Sequence, residues 1–376
     1  MLFSTRKIFF ALLFPLLISI PLASAQQGPA RVTSPTSQNL NHITPVSTSE
    51  AWAVGDNGAI IKWDGTDWSL VSSSTTANLN SISFGNASSG WAVGALNNNG
   101  VILYWNGSTW STWTDVTVDT TGLTGVPLYG VSMLDGSFGW AVGASGTVVV
   151  WDGTQWAGQK NVTPNTLRSV ATVSQTDAWA VGDNGVIMRW TGTEWTSVSS
   201  PTSSNLYSVF TFNSTDAWAV GGEQNTGVIL HWNGSNWSEW TDIIMYHPES
   251  GTAPPSEPVD HVNATLHSVF VCDTGDGWAS GTDGMVVYWN GTLWNAISSG
   301  ASETLRGISV VVPATGTTPS KGYAVGDGGI ILGWEGHQWI PEISVFILAP
   351  ILLTFAALLL ILKKTAKRPN LFFFRK

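Results

Sequence analysis

The stretch from Trp179 to Trp195 reads WAVGDNGVIMRWTGTEW and contains the two signatures that decide the fold. One is Trp-Ala-Val-Gly, and the other, a short distance later, is Trp-x-Gly-x-x-Trp. Versions of the first begin at Trp52, Trp91, Trp140, Trp179, Trp218, Trp278 and Tyr323. An apolar segment led by leucine precedes each version, at Leu40, Leu79, Leu128, Leu167, Leu206, Leu266 and Leu305. These seven copies use 20 of the 22 tryptophans, so the tryptophans belong to a repeat rather than to one pocket.

Each copy is predicted to form four short strands. Its runs are β-branched or aromatic, and Gly, Asn, Asp or Ser bounds them, as in Asp183-Asn184-Gly185. A four-stranded unit cannot bury both faces alone, but seven units around an axis can. The sequence therefore predicts an all-β fold, a seven-bladed β-propeller of four-stranded blades over residues 40–340, plus one C-terminal transmembrane helix. A linear array of hairpins is the alternative, and it would leave apolar end faces exposed.

The N-terminal segment, residues 26–39, is predicted to close the ring. Arg31–Leu40 resembles Ser197–Leu206, which contains the end of blade four. In the last blade the expected fourth strand, Trp339–Glu342, contains Pro341, which cannot donate to a β-ladder. We therefore expect Arg31–Ser34 to form the outer strand of blade seven, with Trp339–Glu342 as the alternative.

The two ends of the chain predict export and anchoring. Residues 1–25 have the layout of a signal peptide, with Arg6 and Lys7, an apolar run and Ala23-Ser24-Ala25. Residues 343–362 are twenty uncharged residues, enough to cross roughly 30 Å of hydrocarbon as a helix. The basic tail, residues 363–376, predicts a cytoplasmic C-terminus and a propeller at the cell surface. An uncleaved N-terminal anchor and a removed C-terminal sorting signal are the alternatives.

Charge and composition narrow the partners. Residues 26–342 hold all 25 acidic residues and seven basic ones, a net charge of −18, which argues against nucleic acid. The lone cysteine, Cys272, is expected to be a buried structural thiol. Eight Asn-x-Ser/Thr sequons fit an exported glycoprotein, at Asn86, Asn106, Asn161, Asn213, Asn233, Asn236, Asn263 and Asn290.

The repeat resembles the Asp-box (BNR-like) propellers, among them the photosystem-assembly-factor-like repeats. The resemblance covers all seven units and rests on Gly-Trp-Ala-Val-Gly followed by a glycine turn that ends in Trp. It implies the propeller fold, while the function stays open because propellers host unrelated activities. The turn Trp151–Trp156 is shorter than the family's Asp box, and its second residue is Asn, Thr or Glu in other copies.

No catalytic motif, cofactor fingerprint or metal-ligand spacing is present in the sequence, so we expect neither catalysis nor a cofactor. Blades two and five depart from the repeat by a longer loop, an extra Trp and a following insertion, 114–127 and 241–262. Loops on a rigid scaffold are common binding sites. The predicted partner-binding face comprises Asn97, Asn98, Asn99, Trp113, Asp115, Glu223, Gln224, Asn225, Trp240, Asp242, Tyr246 and His247.

The predicted function is a membrane-anchored recognition or scaffold module that binds a protein or glycan outside the cell. A glycan-acting hydrolase of the Asp-box type and an assembly chaperone for a membrane complex are the alternatives. A metal site in the second insertion is conceivable, but a solvated loop is the simpler interpretation.

Overall fold

The computed structural model describes residues 29–118, 122–159, 161–245, 261–272, 275–311 and 321–334. Within these ranges, thirty strands form seven sheets. Each first strand contacts the first strands of both neighbouring sheets, so the first strands line a common axis. The predicted seven-bladed β-propeller is therefore confirmed.

The strands follow one another in chain order. Strand β1 is Ala30–Arg31, and blade one contains β2 (Leu40–Ser47), β3 (Glu50–Gly55), β4 (Ile60–Trp63) and β5 (Trp68–Val71). Blade two contains β6 (Asn78–Asn86), β7 (Ser89–Leu96), β8 (Asn99–Trp105) and β9 (Trp110–Thr112). After β10 (Val116–Val118), blade three contains β11 (Leu128–Met133), β12 (Gly139–Gly143), β13 (Thr147–Trp151) and β14 (Trp156–Gln159).

The remaining four blades repeat this order. Blade four contains β15 (Leu167–Ser174), β16 (Asp177–Gly182), β17 (Ile187–Trp190) and β18 (Trp195–Val198). Blade five contains β19 (Leu206–Asn213), β20 (Asp216–Glu223), β21 (Thr226–Trp232) and β22 (Trp237–Glu239). After β23 (Ile243–Met245), blade six contains β24 (Leu266–Val271), β25 (Gly277–Gly281), β26 (Met285–Trp289) and β27 (Trp294–Ser298). Blade seven contains β28 (Leu305–Val311), β29 (Lys321–Gly326) and β30 (Ile331–Trp334).

The N-terminal strand β1 completes blade seven. It pairs antiparallel with β30, Ala30 opposite Gly333 and Arg31 opposite Leu332. The Val32 N–H then donates to the Ile331 carbonyl at 2.9 Å. The ring is thus closed by the segment that the sequence indicated, with the pairing shifted toward Ala30. Residues 339–342 lie outside the described residues.

Blades three and six each gain a fifth strand, which the sequence did not predict. Strand β10 runs parallel to β14, and β23 runs parallel to β27. Val118 and Ile243 are buried in the adjoining blade interfaces. Part of each predicted loop insertion is therefore an outer strand, because its short apolar run covers the edge of the next blade.

Tryptophans fill the seams between blades. In blades one to five the Trp of the second strand packs on the Trp pair of the next blade; Trp91, for example, lies 4.6 Å from Trp151 and 5.2 Å from Trp156 between ring centroids. In blade six Trp278 packs on Trp334. At the closing seam Tyr323 takes this place against Trp63 and Trp68. Buried aromatic pairs contribute area and edge-to-face contacts, so the repeat stabilises neighbours rather than single blades.

Serines on the first strands add hydrogen bonds across the seams. Ser81 Oγ accepts from the Val131 N–H at 3.2 Å, and Ser268 Oγ accepts from the Ile308 N–H at 3.2 Å. Ser169 and Ser208 do the same, while in blade one His42 Nδ1 accepts from Ile82. Glycines, Gly130 and Gly307, occupy the position in blades three and seven.

Among the described residues, the structure contains no helix long and apolar enough to span a bilayer. The predicted signal peptide, span and tail, residues 1–25 and 343–376, lie outside the described residues.

Candidate functional site at the mouth of the axial channel

A polar channel follows the propeller axis. Its cavity of about 320 Å³ is lined by the first strands of the blades, with hydroxyl groups such as those of Ser83, Ser132 and Ser309. At one end it opens into a mouth of about 150 Å³. The mouth is formed by one side chain from each blade, Asn41, Asn80, Tyr129, Arg168, Tyr207, His267 and Arg306. We call these seven residues the mouth ring.

A repeated β-bulge places the mouth ring. Every ring residue directly follows the leading leucine of its first strand, and the pairing with the second strand shifts there, as between Leu167 and Ser169. A bulge leaves one residue unpaired and re-aims its side chain. The buried leucine anchors each blade while the next residue is free to face the mouth.

The two arginines of the ring are held by aspartates in the turns behind them. Arg168 Nε donates to Asp183, and Arg306 Nε donates to Asp327 Oδ1 at 2.5 Å. Both aspartates begin the 3₁₀ turn between the second and third strands of their blade. Charge-assisted bonds of this kind fix the guanidinium orientation.

Aromatic rings flank these cations. The Arg168 guanidinium carbon lies 5.6 Å from the Tyr129 ring centroid and 5.2 Å from that of Tyr207. The His267 ring lies 5.1 Å from that of Tyr207. Blades three to seven therefore present a continuous arc of cationic and aromatic groups.

His267 is neutral at pH 7. Burial, followed by the positive charges of Arg306 and Arg168, lowers its pKa from 6.5 to about 4, against an opposing contribution from Asp327. The imidazole therefore offers one N–H donor and one acceptor to the mouth.

The remaining side of the ring consists of amides. Asn41 Nδ2 donates to Asp56 Oδ1 and to the Leu79 carbonyl, both at 3.0 Å. Asn80 Nδ2 donates to the Leu128 carbonyl at 2.7 Å. These bonds hold the two asparagines in place at blades one and two, between Arg306 of blade seven and Tyr129 of blade three.

Two raised hairpins stand on the same side of the propeller as the mouth, which we call the mouth face. They are Leu96–Asn99, which joins β7 to β8, and Glu223–Thr226, which joins β20 to β21. The turns between second and third strands lie on this face, since Leu40, next to the ring residue Asn41, pairs with Gly55 beside such a turn.

The hairpin tips contain the predicted binding residues. Asn97 and Asn98, and likewise Gln224 and Asn225, adopt left-handed φ values between 49° and 67°, as type I′ turns require. Their side chains and those of Asn99 and Glu223 are exposed. The following insertions brace the hairpins, since Asn99 Oδ1 accepts from the Gly125 N–H at 2.8 Å and the Val262 carbonyl accepts from Gly227.

The other predicted site residues are not brought to the hairpins. Trp113 packs on Trp91 and Trp151, and Trp240 packs on Trp218 and Trp289, at the outer edge of two seams. Their indole N–H groups donate to the carbonyls of the exposed residues Asp115 and Asp242. Tyr246 and His247 lie outside the described residues. No group of three or more metal-ligating side chains occurs in the described part of the chain.

The mouth ring itself was missed at the level of sequence. Its signal is the position after each leading leucine, where the residue type changes from blade to blade within an otherwise regular strand. Positional variation on a repeated scaffold indicates a role other than packing.

Known structures share the fold at low sequence identity. A structure described as "YCF48 bound to D1 peptide" matches with a TM-score of 0.59 and 16% identity, over 83% of this chain and 98% of that one. YCF48 from Cyanidioschyzon merolae matches with a TM-score of 0.58 and 16% identity, over 82% and 98%. The WD40 propeller domain of Doa1 matches with a TM-score of 0.61 and 13% identity, over 84% and 99%. The chain matches no family model and no curated protein.

Proposed function

We propose that this chain is an exported, membrane-anchored propeller that binds a protein partner at the mouth ring. The observation that carries the proposal is the pair of guanidinium groups, Arg168 and Arg306, held by aspartates at the channel mouth. The residues 26–342 contain only four arginines, and two of them occupy this ring.

The chemistry of the mouth fits a peptide carboxylate. Each ring arginine uses Nε for its aspartate, which leaves its terminal nitrogens to a ligand. Arginine matches the two oxygens of a carboxylate better than lysine does. A mouth of about 150 Å³ admits one side chain or a chain end, not a folded domain.

The raised hairpins extend the site beyond the mouth. Blades two and five are three blades apart in a ring of seven, so their hairpins stand on nearly opposite sides of the axis. A segment that places its carboxylate in the mouth would pass between Asn97–Asn99 and Glu223–Asn225. Loops carried on a rigid scaffold suit this role.

The similar structures are consistent with a scaffold or assembly role. They include a propeller with a bound peptide and a WD40 domain. Export and anchoring are proposed from the ends of the sequence and from the acidic body. On this proposal the mouth recruits a partner beside the membrane, in a complex that the propeller helps to assemble.

The test of partner binding uses the full-length chain in its native membrane. Mild cross-linking and purification should recover a partner with wild type and lose most of it, about tenfold or more, with Arg168→Gln/Arg306→Gln. Arg31→Gln is the matched control, because Arg31 is an exposed arginine that pairs with Glu303 away from the mouth. Equal recovery by the double variant would contradict the proposal.

The test of location is independent of binding. Protease added to intact cells should digest the propeller and spare the basic tail after Leu362. Protection of the propeller together with loss of the tail would show that the topology is inverted.

A further inference from the structure

The sequons are distributed unequally between the two faces of the propeller. Turns between first and second strands and between third and fourth strands lie on the face opposite the mouth, which we call the rear face. Six of the eight sequon asparagines occur there, at Asn86, Asn106, Asn213, Asn233, Asn236 and Asn290. Asn161 and Asn263 lie in connections between blades on the mouth face.

Four of the rear-face sequons combine one local geometry with a side-chain nitrogen that no described residue bonds. Their side-chain oxygen accepts from the backbone N–H two residues on, as in Asn106 with Ser108 at 3.0 Å and Asn213 with Thr215 at 2.8 Å. The four asparagines are exposed, and no described residue bonds their side-chain nitrogen. They are Asn86, Asn106, Asn213 and Asn290.

The two other rear-face sequons lack this combination. Asn233 makes the same turn, since its Oδ1 accepts from the Ser235 N–H at 3.0 Å, but its Nδ2 already donates to Asn236 Oδ1 at 3.3 Å. In the sequon of Asn236 the middle residue is Trp237, which is buried, and Ser238 lies in β22. These two asparagines are therefore poor acceptors.

Turn geometry alone does not account for asparagine at these positions. Asp64 makes the same turn in blade one, where its Oδ1 accepts from the Thr66 and Asp67 N–H groups at 2.9 and 3.0 Å. Asp152 does so in blade three. An aspartate would serve the turn equally well, but it has no amide nitrogen to modify.

We infer that the rear face carries N-linked glycans at Asn86, Asn106, Asn213 and Asn290, which leaves the mouth face bare for its partner. The inference rests on the proposed location outside the cell. In the modification, the asparagine amide nitrogen bonds to the anomeric carbon of a lipid-linked oligosaccharide. The bond from that carbon to the lipid phosphate breaks, the lipid phosphate leaves, and the amide proton passes to the transferase.

The test is glycopeptide mass spectrometry on the full chain isolated from its native membrane. We expect oligosaccharide mass at the four asparagines, and each Asn→Asp variant should lose one glycan while its melting temperature stays within about 2 °C, as the Asp64 turn implies. Asn106→Asp and Asn290→Asp are the best matched variants, because both asparagines lie in the turn between third and fourth strands that Asp64 occupies in blade one.

The outcomes separate the two proposals. Unmodified peptides at all four positions, in a chain that protease reaches from outside, would overturn the glycan inference and leave the location intact. Glycans confined to Asn161 and Asn263 would also overturn it. A chain found inside the cell and without sugar would overturn both.

Discussion

Blades two to four and blades five to seven are two versions of one three-blade plan. Blades two and five carry the raised hairpins and the extra tryptophans, and blades three and six carry the fifth strands. Blades four and seven carry the arginine–aspartate pairs of the mouth. Blade one is the additional unit, with Asn41 and Asp56 at the corresponding positions.

The two versions differ where the ring faces a ligand. The first contributes Asn80, Tyr129 and Arg168, and the second contributes Tyr207, His267 and Arg306. The third residue is arginine in both versions, whereas the first and second residues differ. On the proposed function, both versions therefore bind a carboxylate through their arginine, and the differing positions give the mouth a direction.

The versions also differ across their seams. The serine on the first strand is present in blades two and five, but blade three has Gly130 where blade six has Ser268. At the seam after Gly130 the Thr172 N–H donates instead to Ser132 Oγ at 3.0 Å. The predictions below test whether equivalent positions of different blades contribute equally to stability.

The largest expected difference is the response to acid. His267 and His42 both have a pKa lowered to about 4 in the folded chain, below the unfolded value of 6.5. Protons therefore favour the unfolded chain. The contribution of the two neutral histidines to the free energy of unfolding is fully present above pH 6.5 and is lost as the pH drops toward 4. Between pH 7.5 and pH 5 each histidine should cost on the order of 2 kcal/mol.

The measurement is urea unfolding at several pH values. His267→Tyr, which copies Tyr129 of the first version, should remove about half of the decrease in the free energy of unfolding between pH 7.5 and pH 5. His42→Ser, which copies Ser81, should remove the other half. The carboxylates with lowered pKa values, such as Asp64 at about 2, act below this window. A wild-type chain of constant stability between pH 7.5 and 5 would contradict the burial of both histidines.

The extra tryptophans should contribute equally to the two versions. Trp113 and Trp240 are half-buried against equivalent seams, so alanine at either should cost about 2 kcal/mol, less than a fully buried Trp. Denaturant midpoints of the two variants measure this. Binding in the cross-linking assay should be unchanged. A variant that keeps its stability and loses its partner would show that the tryptophan contacts the partner, as the sequence first indicated.

The smallest expected effect concerns the seam hydroxyls. Ser268→Ala leaves the Ile308 N–H without its acceptor and should cost about 1 kcal/mol. Ser81→Ala should cost the same, because Ser81 makes the equivalent bond to Val131. Ser111→Ala, at an exposed strand position, is the control. If all three variants melt alike, the hydroxyls do not couple the blades.

Much of the fold was predictable because the same residue types recur at the same positions of each blade. The Trp-Ala-Val-Gly and Trp-x-Gly-x-x-Trp signatures specify the second, third and fourth strands and the seams between blades. The resemblance of Arg31–Leu40 to the end of blade four indicated how the ring closes. A repeated packing role leaves a repeated residue type, which one sequence is enough to reveal.

The fifth strands and the mouth ring were not predictable in this way. Strands β10 and β23 are three residues long and pair with a blade that lies later in the chain, so no local pattern announces them. The mouth ring depends on a bulge that turns one residue of each first strand toward the axis. The residue type at that position varies among the blades, so a search for repeated residue types does not find it.

The most direct test of the account is whether the mouth recognises a carboxylate. Peptides derived from the cross-linked partner would be prepared with a free C-terminal carboxylate, with a C-terminal amide, and with each acidic side chain replaced by its amide. Their affinities for the full-length chain would be measured by fluorescence anisotropy. We expect one carboxylate-to-amide change to weaken binding about tenfold in wild type and to have no effect in Arg168→Gln/Arg306→Gln. Equal affinities for all peptides in wild type, or the same tenfold loss in the double variant, would contradict the assignment of the mouth ring as the binding site.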